Sequence, residues 1–586
     1  MPYDAPIDQM RLTLERVGRL HEINGAAQAP DLDKETVTAI LEEANRLARD
    51  ILAPLNSVAH REGARLTGEG VIAPPGFRNA YAAFRDGGWM GLAFPHEYGG
   101  QDLPKALALA VMEMIHASNM AFGLCPLLTF GAIEAILAYG TEDQKSAYLP
   151  KLISGKWTGA MNLTEPQAGS DVGALRTKAT PNEDGSYSLH GQKIYITWGD
   201  HDLAENIIQL VLARLPDAPE GSRGVSLFLA PKFLIDRNGA LGERNDFRCI
   251  GLEKKMGIHG SPTCVMEYSG AKAWLIGEKN RGLAAMFTMM NSARLNVGLE
   301  GVAIAEAARQ SAILYAGERR QGSATNIEGP APIISHPDIR RSIGRMTGYV
   351  RAARAICYAC GAAADRARHA EDAAERETSR LREDLLTPIA KAWSTDRGVE
   401  AADINVQIHG GMGFMHDTPA AQLYLDARIM PIYEGTNGIQ AIDLVGRKLA
   451  QSNGQGMWDM LQEIRGNLSK ARQSNNPYLL AACENLEAGT EALEEATGWM
   501  IQHMRTDRDT ALAGASPYLR LAGDVIGGHY LMVLAMEQQD ESLSTAGLAT
   551  AAFYCEDTLA GVRGRALAIT RASRVVSEMS EGLCSR

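Results

Sequence analysis

RIMPIYEGTNGIQ, residues 428–440, is the stretch on which the organisation of this chain depends. Pro431 interrupts the helical pattern before it, because its ring removes a hydrogen-bond donor and disfavours helix in the preceding residue. Thr436 or Asn437 can then cap a new helix, whose apolar residues recur at helical spacing. Glu434 therefore lies in a short connector before a helix N-terminus, beside a glycine that lets a ligand approach closely. A carboxylate in this place is either a general base or a group that only complements the helix dipole.

Composition limits the class of protein. With 586 residues, the chain is long enough for three or four domains. Hydrophobic residues at 45% and charged residues at 22% are typical of a soluble globular protein. The net charge of −12 argues against nucleic acid as a main partner, because phosphate binding needs basic patches. The first residues lack the apolar region of a secretory signal, and the eight cysteines are scattered, which predicts a reduced cytoplasmic enzyme.

Two segments have a second possible interpretation. Residues 117–133 are apolar, but Pro126 and nearby charged residues interrupt them, so we expect buried helices and no membrane span. Cys357 and Cys360 form a C-x-x-C pair within a helical pattern and without a second pair nearby. A structural pair on one helix face is the favoured interpretation, and no metal site is predicted.

The hydrophobic periodicity predicts an α+β protein that is mainly α. Residues 1–157 are mostly helical, beginning with an amphipathic helix over 33–52 that Asp33 can cap. Residues 158–280 contain short runs of period two, typical of an antiparallel β-barrel or sandwich. Helical spacing returns over 281–450 and predicts a four-helix bundle. Its helices are expected at 283–317, 339–380 and 386–408, with Pro388 in a first turn, and after Thr436. Residues 452–456 are expected to be a linker, followed by a helical extension over 457–586.

The run I-Y-E-G-T-x-x-I-Q at residues 432–440 resembles the catalytic segment of acyl-CoA dehydrogenases. In that family, the glutamate of this segment removes the α-proton of an acyl-CoA thioester. The resemblance implies that Glu434 is the catalytic base. It also implies that Tyr433 and Gly435 contact the substrate, and that Thr436 and Gly438 contact the cofactor FAD.

A second motif, L-T-E-P-Q-A-G-S-D at residues 163–171, brings hydroxyls and backbone donors into one loop between helical and strand patterns. Alone it would be an ordinary Pro/Gly turn, although its donors suit a heteroaromatic ring and nearby phosphate oxygens. It resembles the flavin loop of the same family. The resemblance implies FAD contacts from Leu163, Thr164, Gly169 and Ser170, with Ser170 also on the substrate side.

The strand K-I-Y-I-T-W-G at residues 193–199 follows the flavin loop. Alone it would be a core strand. The matching strand of the family places an aromatic residue against the flavin and a threonine hydroxyl near flavin N5, which implies cofactor contacts from Tyr195, Ile196 and Thr197. The family usually has tryptophan at the first position and asparagine after the threonine, so Tyr195 and Trp198 are departures.

Further matches lie in the predicted bundle. E-R-R-Q at residues 318–321 resembles an element whose first arginine, here Arg319, contacts the FAD pyrophosphate, typically from the neighbouring subunit. Q-I-H-G-G-M-G-F at residues 407–414 resembles a segment that approaches the adenosine-diphosphate portion of FAD. That match implies contacts from Gln407, Gly410 and Gly411, without the strand context of a Rossmann fingerprint.

Asn291 and Arg294 match the acyl-CoA binding region of the family, although an arginine at this position could also lie on a surface or a subunit interface. The extended C-terminus, with residues 1–6 and 254–264, resembles a long bacterial branch of the family. The extension could cover a subunit surface, which favours a homodimer over a tetramer, or cap the active-site entrance.

The resemblance implies α,β-dehydrogenation of an acyl-CoA thioester to a 2-enoyl-CoA. Glu434 would take the α-proton while the β-hydrogen leaves as hydride to flavin N5, and hydrogen bonds would stabilise the enolate oxygen. Electron-transfer flavoprotein is the implied acceptor. Two alternatives remain at this point: an acyl-CoA oxidase that uses oxygen, and a flavin-free acyl-CoA-binding protein that has lost catalysis.

Overall fold

We analysed a computed structural model that describes residues 3–22, 32–236, 239–536 and 541–579. Cys584 and residues 1–2, which entered the sequence analysis, lie outside these ranges. The described residues form a helical layer, a β domain, a helical bundle and a helical extension in chain order. The predicted mainly α, α+β fold is confirmed.

The N-terminal layer is helical, as predicted. Asp33 caps its second helix by accepting a hydrogen bond from the Thr36 N–H at 2.8 Å. That helix continues through a π-helical turn, Leu47–Leu52, into the next one. The helices are α1 Ile7–Arg16, α2 Lys34–Arg46, α3 Ala53–Glu62, α4 Phe77–Asp86, α5 Lys105–Ser118, α6 Met120–Tyr139 and α7 Glu142–Ile153. A short antiparallel hairpin, β1 Arg65–Thr67 with β2 Gly70–Ile72, lies between α3 and α4, and the periodicity did not predict it.

The β domain contains a seven-stranded sheet and a separate two-stranded one. Its strands are β3 Trp157–Asn162, β4 Lys178–Pro181, β5 Tyr187–Thr197, β6 Asn206–Arg214, β7 Val225–Pro231, β8 Phe233–Ile235, β9 Leu241–Arg244, β10 Phe247–Leu252 and β11 Thr263–Ile276. The large sheet has the order β10-β11-β5-β4-β6-β3, with β7 paired to both β11 and β6, and β8 pairs with β9. A closed barrel stays a prediction.

The large sheet is mainly antiparallel, as predicted, but it contains one extended parallel pairing. β3 pairs with β6 in parallel along its whole length, from Trp157 opposite Asn206 to Asn162 opposite Val211. The chain between them passes through β4 and β5 before it returns, which is a connection long enough for two strands to share a direction. The other multi-residue pairings of this sheet are antiparallel.

The bundle contains long helices followed by shorter ones. Its helices are α8 Gly282–Glu318, α9 Pro337–His369, α10 Ala373–His409, α11 Pro419–Ala427, α12 Asn437–Asp443 and α13 Leu449–Gln451. The segment after Thr436 is thus short, and a π-helical stretch, Leu444–Lys448, separates α12 from α13.

The predicted break between residues 380 and 386 was wrong. α9 ends at His369, and Asp372 caps α10 by accepting hydrogen bonds from the N–H groups of Ala374 and Glu375. Pro388 therefore lies deep inside α10 and is buried there. The proline removes one backbone hydrogen bond. The helix nevertheless continues through it, because tertiary packing on buried neighbours such as Leu386 and Ile389 outweighs that local preference.

Close packing of α8 on α10 brings together the residues of the site. A Cβ at Gly298 would collide with the backbone of Ala390, and a Cβ at Gly301 would collide with the backbone of Ser394. Only glycine permits this approach. It places the buried Glu300 of α8 near Lys391 of α10.

The C-terminal extension packs on the bundle. Its helices are α14 Gln455–Arg472, α15 Pro477–Thr506, α16 Arg508–Ala513, α17 Ala515–Met536, α18 Glu541–Thr558, α19 Val562–Leu567 and α20 Ser573–Glu578. The buried Asp524 of α17 accepts a hydrogen bond from the Trp393 indole of α10 at 2.8 Å. The predicted linker is reduced to a tight turn, with left-handed conformations at Asn453 and Gly454 directly before α14.

Among the residues that the structure describes, two helices are long and apolar enough to cross a membrane. They are α6 and α17, and 89% and 83% of their most apolar windows are buried inside the fold. Both are core helices, which agrees with the prediction that residues 117–133 form buried helices. Cys357 and Cys360 are likewise buried in α9, where their thiols lie near Ser394 and Thr387.

Candidate active site

Glu434 lies in the connector between α11 and α12 in a left-handed backbone conformation, with φ of 55°. Gly435 follows with φ of 83°. Thr436 then caps α12, because its hydroxyl accepts a hydrogen bond from the Ile439 N–H at 3.2 Å. A left-handed conformation is uncommon for a residue other than glycine, and it persists where surrounding contacts impose it.

Contacts on two sides hold this connector. The Gln440 amide donates to the backbone carbonyls of Glu434 at 3.3 Å and Gly435 at 3.4 Å. The Asn437 N–H donates to the carbonyl of Pro431 at 3.0 Å. On the other side, the Tyr433 hydroxyl donates to Glu300 of α8.

The electrostatic environment suits Glu434 to a role as a base. Burial raises the pKa of the Glu434 carboxyl to about 7, while the positive charges of Arg294 and Lys391 oppose that rise. A base with a pKa near the operating pH is half ionised there and still holds a proton strongly. The opposing charges come from α8 and α10.

Arg294 is buried, so a surface role is excluded in this chain. Its guanidinium donates to Asn291 at 3.3 Å and to Asp443 at 3.4 Å, both long hydrogen bonds. Its Nε atom has no hydrogen-bond partner among the described residues. Such a guanidinium has donors to spare beside Glu434 and Gly435, which suits the predicted contact with an acyl-CoA.

The predicted flavin loop is organised by a buried carboxylate. Glu165 accepts hydrogen bonds from the Lys193 ammonium at 2.8 Å and from the Thr177 hydroxyl at 2.6 Å. The N–H groups of Arg176 and Thr177 donate to it at 2.6 and 3.0 Å. These bonds turn the loop so that Gly169 and Ser170 are exposed.

The glycines of the predicted cofactor segments leave room for a bound group. A Cβ at Gly169, Gly410 or Gly411 would meet no atom of the described chain within 4 Å. Gly438 has only the Thr436 hydroxyl nearby, at 3.7 Å. Backbone N–H groups in such open places can donate to phosphate or ring atoms. The free space beside these glycines therefore fits an uncharged heteroaromatic ring and its phosphates.

The strand residues predicted to touch the flavin differ in accessibility. The Tyr195 side chain is 59% exposed, on a residue with φ of 60°. Thr197 is partly buried at the end of β5, opposite Thr263. Ile196 is buried in the β-domain core, so only its backbone could contact a ligand. Trp198 is also buried, and its indole donates to the Ala121 carbonyl at 3.1 Å, which makes it a core residue and not a pocket residue.

The remaining predicted cofactor residues lie at the far end of the bundle. Arg319 directly follows Glu318, the last residue of α8, which lies 24 residues or about 36 Å along the axis beyond Arg294. The Tyr315 ring stacks on the His409 ring with centroids 4.2 Å apart, which brings the end of α10 to the same place. Gln407, Gly410 and Gly411 therefore accompany Arg319, far from the Glu434 of their own chain.

Four buried ionisable groups near the site escaped the sequence analysis: Glu300, Lys391, Glu165 and Lys193. A signal existed for the first two. Glu300 lies between Leu299 and Gly301 in an apolar run, and Lys391 lies between Ala390 and Ala392. A charge within such a run is seldom buried unless it has a partner.

A cavity of about 330 Å³ lies between α5, α6 and α8, and it is separate from the residues above. Its lining includes Phe130, Ser292 and Asn296, together with the ion pair of Lys105 and Glu134, but neither Glu434 nor Arg294. It is therefore not the space in which Glu434 acts.

Family comparisons agree with this architecture. The acyl-CoA dehydrogenase N-terminal domain matches residues 34–156, the middle domain residues 160–271 and the C-terminal domain residues 280–449. A further domain, described as acetyl-CoA dehydrogenase C-terminal like, matches residues 460–580. The chain belongs to the acyl-CoA dehydrogenase family and is an oxidoreductase of that class.

Individual relatives are similar over the whole length. The chain is 42% identical over 574 residues to 3-methylmercaptopropionyl-CoA dehydrogenase of Ruegeria pomeroyi, covering 95% of this chain and 96% of the relative. Among solved structures, Caenorhabditis elegans ACDH-11 in complex with C11-CoA has a TM-score of 0.80 at 21% identity, covering 99% and 95% of the two chains. An acyl-CoA dehydrogenase of Bacillus anthracis complexed with FAD has a TM-score of 0.75 at 20% identity, covering 96% and 94%. At these identities, the two structures show the fold alone.

Proposed function

We propose that this chain is an FAD-dependent dehydrogenase that oxidises 3-methylmercaptopropionyl-CoA to its 2-enoyl thioester. The observation that carries the reaction is Glu434, a partly buried carboxyl with a pKa raised to about 7 in a left-handed connector. The name of the Ruegeria pomeroyi relative, at 42% identity over nearly the whole chain, supports the substrate.

FAD is supported by the free space beside Gly169, Gly410 and Gly411, and by the Bacillus anthracis relative that was solved with it. Leu163, Thr164, Ser170 and Tyr195 would hold it near Glu434, with Thr197 at the reacting ring and Thr436 and Gly438 beside it. When bound, FAD supplies an acceptor for the β-hydrogen as hydride.

Residues of the chain itself would remove the α-proton of the substrate. Glu434 in its carboxylate form takes the α-proton, and Arg294 and Lys391 stabilise that carboxylate before the reaction. The α-proton becomes acidic only if the thioester oxygen is stabilised as negative charge develops. The main-chain N–H of Glu434 is the donor that the family resemblance assigns to this oxygen.

The variant Glu434→Gln tests this role. It should still bind FAD and acyl-CoA, because the amide keeps the size and hydrogen-bonding reach of the carboxyl. It should fail to bleach the flavin on addition of 3-methylmercaptopropionyl-CoA, measured by flavin absorbance. Bleaching at the wild-type rate would remove Glu434 from the mechanism. A panel of straight-chain acyl-CoAs under the same conditions tests the substrate.

Electron-transfer flavoprotein is the acceptor that we propose, as the family resemblance implies. An acyl-CoA oxidase would share the fold and the base but transfer its electrons to oxygen. Oxygen uptake and peroxide formation with acyl-CoA, in the absence of another acceptor, would identify an oxidase. A colourless purified protein without bound flavin would instead identify an inactive acyl-CoA-binding protein.

We also propose a homo-oligomer, most simply a dimer, in which each subunit completes the FAD site of its partner. Arg319 is about 36 Å from Arg294 along α8, longer than an extended FAD molecule. Beside Gly410 and Gly411, the side chains of Met412, Phe414 and Met415 are 47%, 85% and 50% exposed. Neighbouring apolar exposure of this kind favours a covering partner. The seven described cysteines are buried and unpaired, which supports a reducing, cytoplasmic compartment.

A further inference from the structure

Glu300 is a buried carboxyl group that the proposed reaction does not use. It lies in α8 with no exposed surface. One of its oxygens accepts a hydrogen bond from the Tyr433 hydroxyl, and the other has no hydrogen-bond partner within the described ranges. Burying a carboxyl with so few partners is costly, since burial disfavours its charge.

The one hydrogen bond of Glu300 reaches the residue directly before Glu434. Tyr433 enters the connector with its backbone N–H bonded to the Ile429 carbonyl at 3.2 Å. Its hydroxyl end is held by Glu300, while Gln440 holds the carbonyls of Glu434 and Gly435. The left-handed Glu434 is therefore held on both sides, by the anchored side chain of Tyr433 before it and by the Gln440 amide on its own carbonyl and on that of Gly435.

We propose that Glu300 is a positioning residue for Glu434: it anchors Tyr433, holds the connector in its left-handed conformation, and couples its own ionisation to that of the base. The inference rests on the proposed function, because the position of Glu434 matters to the reaction only if Glu434 is its base.

The charges around Glu300 explain the coupling. The groups that face it are Tyr433 and Glu434 from the connector and Lys391 from α10. Burial raises the pKa of Glu300 to about 8, the Tyr433 hydrogen bond and the Lys391 charge lower it, and the Glu434 charge raises it. Glu300 therefore keeps its proton at neutral pH and leaves the negative charge to Glu434.

Lys391 links the two carboxyls. Its ammonium donates to the Asn437 side chain at 2.9 Å, at the start of α12. Burial lowers the pKa of Lys391 to about 8, although the charges of Glu434 and Glu300 raise it. Glu434 and Glu300 thus share a cation and lose their protons in adjacent pH ranges, so their ionisations belong to the pair.

The experiment measures the rate of flavin bleaching by 3-methylmercaptopropionyl-CoA between pH 6 and pH 10. It compares the wild-type holoenzyme with Glu300→Ala, Glu300→Gln and Tyr433→Phe. Glu300→Ala should lower the limiting rate about tenfold, because the base is less well placed, with little change in the half-saturating concentration. Glu300→Gln should recover most of the rate, since its amide oxygen accepts the same hydrogen bond.

The pH profile separates positioning from a merely structural role. Glu434, Glu300 and Lys391 all lose protons within this pH range, so the wild-type profile should be broader than that of Glu300→Gln, which lacks one of the three ionisations. Profiles of equal width, a wild-type rate in Glu300→Ala, or a Glu300→Gln enzyme as slow as Glu300→Ala would each overturn the proposal.

Two controls keep the test decisive. If Glu300→Ala does not fold, Tyr433→Phe removes the same hydrogen bond without a cavity at Glu300, and it must show the same loss of rate. A wild-type rate in Tyr433→Phe would overturn the proposal. A wild-type enzyme that acyl-CoA does not bleach would instead refute the proposed function, and the inference with it.

Discussion

Lys193 donates a hydrogen bond to Glu165 at 2.8 Å, and both side chains are buried, Glu165 within the loop of residues 163–171 and Lys193 in β5. Burial alone would raise the pKa of the Glu165 carboxyl, but Lys193 and the donors of Thr177 and Arg176 lower it to about 2. Burial lowers the pKa of Lys193 to about 8, and Glu165 opposes that shift. The pair is therefore charged between about pH 2 and pH 8.

Removing one member of this pair should destabilise the protein. Lys193→Met leaves Glu165 ionised and buried, which costs on the order of 3–5 kcal/mol in unfolding free energy. We expect a lower unfolding midpoint in urea and loss of bound flavin, because the loop loses its anchor. The double variant Glu165→Gln with Lys193→Met should recover part of the stability, since no buried charge remains.

An exposed pair of the same sheet provides the control. Lys272 contacts Asp184 at 2.7 Å, with both side chains largely in solvent. Exposed pairs contribute little, so Lys272→Met should leave the urea midpoint and the flavin content nearly unchanged. Equal effects of Lys193→Met and Lys272→Met would contradict the anchoring role of the buried pair.

The pKa of Glu434 predicts the pH dependence of catalysis. The carboxylate is the active form, so the rate of flavin bleaching should rise by up to about tenfold per pH unit below pH 7, and it should level off only above about pH 8, once Glu300 has also ionised. Stopped-flow absorbance at acyl-CoA concentrations well below saturation measures this profile, because the rate then reports the pKa of the free enzyme. A midpoint near pH 4.5, the ordinary value for a glutamate, would mean that the folded chain does not perturb the group.

The raised pKa of Glu434 also predicts how the stability of the wild type differs from that of Glu434→Gln as the pH changes. The pKa of Glu434 is raised by folding, so its contribution to stability is complete below about pH 4.5 and is lost as pH rises through about 7. Glu434→Gln removes this dependence. At pH 8 the variant should be more stable than the wild type by about 1–3 kcal/mol, and at pH 4 the difference should be close to its pH-independent value. Thermal unfolding of both proteins at the two pH values measures the change.

Arg294 should set part of the pKa of Glu434. Its positive charge lowers that pKa, so Arg294→Gln should move the midpoint of the bleaching profile to higher pH by about one unit. Arg294→Lys keeps the charge and should move it less. Arg447 contacts the same Asp443, at 2.7 Å, but is not among the charges that act on Glu434. Arg447→Gln is therefore the matched control, and a shift as large as that of Arg294→Gln would mean that Asp443 mediates the effect.

Local chemistry in the sequence predicted much of this arrangement. Pro431 and the Thr436 cap predict a connector before a helix, and the structure has both. The Asp33 cap is present for the same reason. These features depend on residues within one helical turn of each other, so the order of the residues is sufficient to predict them.

Features that depend on distant residues were missed. The break after His369 and the continuation of α10 through Pro388 depend on packing of α10 against α8. The parallel pairing of β3 with β6 depends on a crossover of more than 40 residues. The role of Glu300 depends on the hydrogen bond that it accepts from Tyr433, 133 residues later in the chain. No local pattern contains this information.

The separation of Arg319 from Glu434 leads to a test that uses two inactive variants. Arg319→Ala should lose FAD affinity, and Glu434→Gln should bind FAD but not bleach. In a mixed dimer of the two, one site combines an intact Glu434 from the first chain with an intact Arg319 from the second. Co-expression should therefore restore bleaching, with up to one active site per mixed dimer, measured after separation by two different affinity tags.

The mixed dimer should behave differently if each chain forms a complete FAD site by itself. Arg319 would then serve the Glu434 of its own chain, neither site of the mixed dimer would be intact, and bleaching would stay at the level of the separate variants. That result would contradict the shared site. The roughly 36 Å along α8 between Arg294 and Arg319 makes it the less expected result, because one FAD cannot reach both within a single chain.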